Sequence, residues 1–138
     1  MRLQLSPEDE KFAEELREFF TTQIPEEIRE TVRARRELSK EQMVESQRIL
    51  NDAGLAVPQW PAEWGGKDWT QLQRHLWHEE MALACVPAPL TFNTNMVGPV
   101  IAAFGSQEQK ERFLPATASL DIWWSQGFSE PNAGSDLA

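Results

Sequence analysis

The chain has 138 residues, 41% of them hydrophobic and 25% charged, with a formal net charge of -9. That is enough for one domain with its own core. The acidic balance speaks against a nucleic-acid partner and against docking on an anionic membrane, since both need a basic face. The single cysteine, Cys85, excludes an internal disulfide, and two histidines without a Cys-x-x-Cys make a zinc site unexpected. The N-terminus carries no apolar segment of the signal-peptide kind. The longest apolar stretch, Met96 to Phe104, is interrupted by Gly98 and Pro99 and is far shorter than the roughly 20 residues of a spanning helix. A cytoplasmic protein without membrane insertion is the expectation.

Ser6-Pro7-Glu8-Asp9 reads as a helix start. Ser6 can cap free backbone N–H groups, Pro7 suits the first helical position, and the acids favour the positive end of the dipole. Phe12, Leu16, Phe19 and Phe20 then fall on one helical face. Pro25 resets the chain, and Ile24, Ile28 and Val32 carry the four-residue spacing into a shorter, charged helix. Ser39 with Gln42 forms a capping box ahead of Met43, Gln47, Leu50 and Ala53, and Gly54 is a suitable terminator. Val57 to Gly66 reads as a loop by its prolines and glycines, and its two tryptophans imply that it packs down.

A fourth helix is expected from Thr70 to about Ala84, broken by Val86-Pro87-Ala88-Pro89. A fifth runs from about Thr94 to Phe104, with Pro99 early in it, and ends at Gly105. Ser106 with Gln109 opens a short sixth helix through Leu114, before Pro115. After Ser119 the character changes. Ile122-Trp123-Trp124-Ser125-Gln126-Gly127-Phe128 is aromatic-rich and partly alternating, the pattern of a strand. The fold class expected is all-α: a helical domain of about six helices over residues 1–119. It ends, over residues 120–138, in the first strand of a β domain that is not present. A lone strand would leave its backbone groups unpaired. The sequence is therefore expected to be the front part of a longer polypeptide, or to be completed by a partner chain.

The closing segment, Gly127 to Ala138, holds the candidate chemistry. Gly134 permits close approach of backbone to a ligand, and Ser129 and Ser135 are small hydroxyl donors beside it. A loop leaving a strand end can present successive N–H groups to an anion or a heteroaromatic edge. Physics alone leaves a tight surface turn as the stronger reading. Elsewhere, Trp60, Trp64, Trp69 and Trp77 are read as packing of a loop-rich corner in preference to ligand stacking. Trp123 and Trp124 are read as strand residues against the helices. His75 and His78 lie three apart on one helix but lack a third ligand, and Cys85 is read as a small buried apolar residue.

The order of residues adds to this. Gly127-Phe128-Ser129-Glu130-Pro131-Asn132-Ala133-Gly134-Ser135-Asp136 closely resembles the first signature of the acyl-CoA dehydrogenase family. Pro61-Ala62-Glu63-Trp64-Gly65-Gly66 looks like that family's Pro-x-x-(aromatic)-Gly-Gly loop. Gly105 to Pro115 looks like its Gly-(Ser/Thr)-x-x-Gln-Lys-x-x-(aromatic)-Leu-Pro segment. The resemblance covers the whole chain but only about the front third of a family member.

By that resemblance the cofactor is FAD. Gln126, Phe128 and Ser129 would lie along the isoalloxazine, and Gly134 and Ser135 would meet the pyrophosphate. Ser135 would also reach the CoA thioester arm, and Met96 would line the acyl pocket. Gln126 departs from the aromatic residue frequent at its position. The implied reaction is α,β-oxidation of an acyl-CoA thioester, with hydride passing to FAD and electrons onward to an electron-transfer flavoprotein. The acyl group is open between fatty, branched and sterol side-chain acids. No catalytic residue is assigned, because the family's base lies in a C-terminal domain. A homo- or hetero-oligomer, dimer or tetramer, is implied. Two alternatives stay open: a non-catalytic or split-site subunit of a hetero-oligomer, and a same-fold acyl-CoA oxidase or flavin monooxygenase.

Overall fold

The computed structural model describes residues 5–127 together with Ser129 and Pro131. They form six α-helices: α1 (Pro7–Gln23), α2 (Glu26–Arg33), α3 (Lys40–Asp52), α4 (Gln71–Leu83), α5 (Gly98–Phe104) and α6 (Gln107–Ala118). The all-α expectation holds. A short 3-10 turn, Ala62–Trp64, lies in the loop before α4, and a π-helical turn, Phe92–Val97, leads into α5.

The helix starts follow from local chemistry. Ser6 accepts the Asp9 N–H at the head of α1. Ser39/Gln42, Thr70/Gln73 and Ser106/Gln109 each form a complete capping box, satisfying donors that would otherwise be orphaned. One face of α1 supplies Leu16 and Phe20 to a core shared with Ile28, Leu50, Trp60, Trp77 and Leu114. Across α1 and α4, Arg17 grips the buried carboxylate of Glu80 with Nε at 2.9 Å and Nη2 at 2.6 Å. The loop after α3 does pack down: Leu55, Ala56, Val57 and Trp60 are all buried. Gly66 is required there, because a Cβ would fall 1.5 Å from the Trp60 carbonyl oxygen.

Three features differ from the sequence expectation. The fifth helix begins as a π turn, in which the Gly98 N–H bonds back to the Asn93 carbonyl. Continuing that pattern, the Thr94 carbonyl would need an N–H from residue 99, and Pro99 has none. The Trp60 indole Nε1 takes that carbonyl instead at 2.7 Å, with Gln59 Nε2 at 3.1 Å. The sixth helix does not stop at Pro115 but runs through it to Ala118. Burial of Leu114, Thr117 and Ala118 on its inner face offsets the lost backbone bond.

Third, the strand expected over Ile122–Phe128 is not formed over its described part. Residues 122–127 follow no regular pattern, and the described residues contain no β-strand. A strand is a ladder between two backbones, and this segment is held by side chains instead. Phe128 itself lies outside the described residues.

Candidate functional site

The π turn and α5 show two faces. Asn93 and Thr94 point inward and are 0% and 1% exposed. Phe92, Met96, Val100 and Phe104, spaced by four, point outward and are 39%, 42%, 57% and 85% exposed. Exposed large apolar side chains in one continuous row mark a surface that something covers. Beside this row lie two grooves. One, of about 280 Å³, runs between Phe92, Met96 and Val100 and the arm residues Ser125 and Gln126. The other, of about 370 Å³, runs from Ile101 and Phe104 to Phe113 and Trp124. On the opposite side of the turn a cavity of about 250 Å³ is bordered by Arg74, Trp77, His78, Pro89, Thr94 and Asn95. Burial, and then the neighbouring His75, hold His78 below the usual histidine range, which favours the neutral ring at neutral pH.

Residues 120–127 form an arm laid along the helices. Leu120 is 2% exposed and roots it in the core. The Asn93 amide Nδ2 donates to the carbonyls of Thr117 at 3.0 Å and Ile122 at 2.6 Å, and its Oδ1 accepts the Trp124 N–H at 3.1 Å. The Trp124 indole donates to Thr117 Oγ1 at 2.9 Å and meets Phe113 edge-on at 5.7 Å. Gln47, 2% exposed, donates to the Ala118 carbonyl and accepts the Leu90 N–H, tying α3 to both neighbours. Arg48 pairs with Asp121, and Lys40 sits over the Trp123 ring.

Past Trp124 the arm is exposed, and among the described residues the backbone N–H groups of Ser125, Gln126 and Gly127 make no backbone hydrogen bond. Unpaired donors beside an apolar groove suit an acceptor edge on a flat, largely apolar ligand.

Of the candidate residues, Met96 and Gln126 are brought to the same groove. Ser129 is exposed further along the arm, while Phe128, Gly134 and Ser135 lie outside the described residues. His75 and His78 belong to no cluster of three metal-ligating side chains among the described residues. Sequence reasoning did not single out Asn93 or Thr117. Their only signal was polarity within a run that otherwise buries its inward positions.

The described chain is a helical domain that presents one wall of a groove and a free arm beside it. Residues 6–121 match the family model "Acyl-CoA dehydrogenase, N-terminal domain", and the chain belongs to the acyl-CoA dehydrogenase family. Acyl-CoA dehydrogenase FadE26 of Mycobacterium tuberculosis is 36% identical over 141 residues, covering 100% of this chain and 35% of that protein. Acyl-CoA dehydrogenase IpdE1 of Mycolicibacterium smegmatis is 42% identical over 90 residues, 64% of this chain and 23% of that protein. Among solved structures, the ChsE4-ChsE5 complex from Mycobacterium tuberculosis matches with a TM-score of 0.75 at 35% identity, covering 99% of this chain and 34% of that one. The Tcur3481-Tcur3483 steroid ACAD matches with a TM-score of 0.77 at 30% identity, covering 99% and 35%. The chain spans about a third of the length of FadE26 and of these structures. No helix among the described residues is long and apolar enough to cross a membrane.

Proposed function

We propose that this chain is the N-terminal part of a flavin-dependent acyl-CoA dehydrogenase, with residues 1–119 as its helical domain and 120–138 as the start of its flavin-binding β domain. The observation that carries the reading is the groove shared by Met96 and Gln126, an apolar wall beside an arm whose amides make no backbone hydrogen bond among the described residues. That donor set fits FAD. Those N–H groups and the Gln126 side-chain amide are matched to the carbonyl and nitrogen acceptors of a flavin's pyrimidine edge, and among the described residues no charged side chain lines the groove. FAD, when bound, supplies the acceptor for the hydride that leaves the β carbon of the thioester.

This chain's own part is to bind and orient. Phe92, Met96 and Val100 exclude water from the acyl chain and hold it along the groove. Backbone amides near Gln126, with the Ser129 hydroxyl, donate where negative charge accumulates on reduction, and so favour the reduced state. Phe128 contributes its backbone to that edge, and Gly134 and Ser135 meet the pyrophosphate, with Ser135 also near the CoA arm. No residue of this chain is assigned to take the α proton, because in the family the base lies in a C-terminal domain. An acyl-CoA substrate and an electron-transfer flavoprotein as oxidant complete the reading, in the cytoplasm. One matching structure is a steroid ACAD, which favours a steroid-derived acyl group.

One observation favours a second reading, a subunit that supplies part of a split site: two of the matching structures are two-protein assemblies. The test for both is the visible spectrum of the purified protein before and after a panel of acyl-CoAs without oxygen. A flavin band bleached by one thioester supports the dehydrogenase and names its substrate class. No flavin band in the chain alone, regained on adding a partner subunit, supports the split site. Rapid reoxidation of the reduced flavin by air points to an oxidase instead.

A further inference from the structure

We infer that Asn93 is the positioning residue of the flavin arm. It is a fully buried amide on the acyl-facing helix that sets where Ser125 and Gln126 stand beside the groove. The inference rests on the flavin reading above and assigns that site's geometry to one side chain.

The geometry is specific. A carboxamide has two N–H donors and an acceptor oxygen. Asn93 spends both donors, on Thr117 O and Ile122 O, and its oxygen accepts from Trp124 N–H. In an extended chain the C=O of one residue and the N–H two residues on face the same side. One planar amide therefore satisfies two groups that a neighbouring strand would otherwise satisfy. The side chain stands in for one residue of a parallel strand, and it does so at the last point where the arm is still tied down. Beyond it the amides of Ser125, Gln126 and Gly127 are unpaired among the described residues. The height and direction of the free arm follow from this clamp, together with the Trp124 indole on Thr117 Oγ1.

The clamp also couples the two ligand surfaces. Asn93 sits in the π turn between Phe92 and Thr94, one residue from the exposed row that walls the groove. The widened turn brings its amide to the end of α6, where Thr117 and the arm meet. π turns recur at functional sites for this reason, because they re-aim side chains within a helix. Asn93 touches neither ligand. It acts through the backbone it holds.

The test uses the flavin-containing enzyme that includes this chain, as wild type and as Asn93→Ala, Asn93→Leu and Thr117→Val, with FAD as the probe. Thr117→Val removes the acceptor of the Trp124 indole at nearly constant volume and leaves the Asn93 bonds in place, so it reads the indole's share alone. Asn93→Leu keeps the branched shape but offers no donor or acceptor, and it decides the matter if Asn93→Ala does not fold. The readouts are FAD dissociation by fluorescence, the bound flavin's visible spectrum and its reduction potential, beside helix content by circular dichroism. The expected result is folded protein with FAD affinity down about tenfold, the scale of one lost anchoring hydrogen bond, a shifted flavin band and a lower potential. Variants that lose thermal stability yet keep wild-type FAD affinity, spectrum and potential would overturn it and leave Asn93 a packing residue only. A wild-type enzyme without flavin overturns the functional reading itself and this inference with it, so the two failures are told apart.

Discussion

Gly98→Ala separates local propensity from packing, because the two predict opposite signs. Gly98 has helical backbone angles, φ -55° and ψ -52°. On propensity alone, alanine there should stabilise the helix by about 1 kcal/mol. The space around it says otherwise. A Cβ on Gly98 would fall 2.0 Å from Cζ2 of Trp60 and 2.7 Å from Cε2 and Cη2. Trp60 is only 4% exposed, and its indole N–H holds the Thr94 carbonyl at 2.7 Å, so the ring cannot retreat without losing that bond. Overpacking costs about 1–3 kcal/mol, and losing the indole bond costs about 1 kcal/mol more, Gln59 still donating to the Thr94 carbonyl. Set against the propensity gain, the net is a loss of about 2 kcal/mol, or roughly 7 °C in melting temperature for a domain of this size. Thermal unfolding followed by circular dichroism reads it. In a Trp60→Phe background the offending ring atoms are gone, and the cost of Gly98→Ala should shrink by more than half. A rise in melting temperature for the single variant, or an unchanged cost in the Phe background, refutes the reasoning.

Arg17→Met strips the partner from the Glu80 carboxylate, which is 3% exposed, and should lower the urea midpoint, while Arg17→Met with Glu80→Leu should recover most of the loss. The Ser119 hydroxyl, and then Arg48, hold the Asp121 carboxyl below its usual range. Its folded pKa is the lower one, so the stabilisation is present above the unfolded value near about 4 and is lost as pH falls through the folded value. NMR titration of Ser119→Ala should show Asp121 moving back up; an unmoved titration would reject the assignment. Met96→Trp should fill the groove beside Gln126 and weaken kcat/KM for the largest accepted acyl-CoA by about tenfold or more, while the smallest is spared. Residues 1–138 expressed alone should show no acyl-CoA-dependent dye reduction, and turnover above the blank would place a proton acceptor within this stretch.

What was legible in the sequence is what is local. Ser39 with Gln42 and Ser106 with Gln109 mark their helices because a capping box closes within four residues. The inward face of α3 was visible in the spacing of Gln47 and Leu50, although nothing in that spacing says that Gln47 would reach an acceptor on Ala118. Pro115 read as a stop because a missing N–H is a local cost. The helix crosses it because Leu114, Thr117 and Ala118 are buried against elements far away in the chain. The π turn was invisible for the same reason. Its freed Thr94 carbonyl is taken by Trp60, 34 residues earlier.

The arm brings these together. Alternating residues over 122–128 describe which side chains face the helices, and on that count the pattern holds for Trp124, packed on Phe113, and for the more exposed Trp123. A strand needs more: a second backbone offering donors and acceptors in step. Within the described residues that second backbone is replaced by a single amide, Asn93, which is 29 residues from Ile122 and 31 from Trp124 in sequence. The replacement satisfies one repeat of a ladder and no more. It fixes the arm at Ile122 and Trp124 while the next three amides make no backbone hydrogen bond among the described residues, and open amides beside an apolar wall suit a flat, acceptor-edged cofactor. A full ladder partner at the same place would have used those donors on the backbone, and the groove beside Met96 would face an edge with nothing left to give.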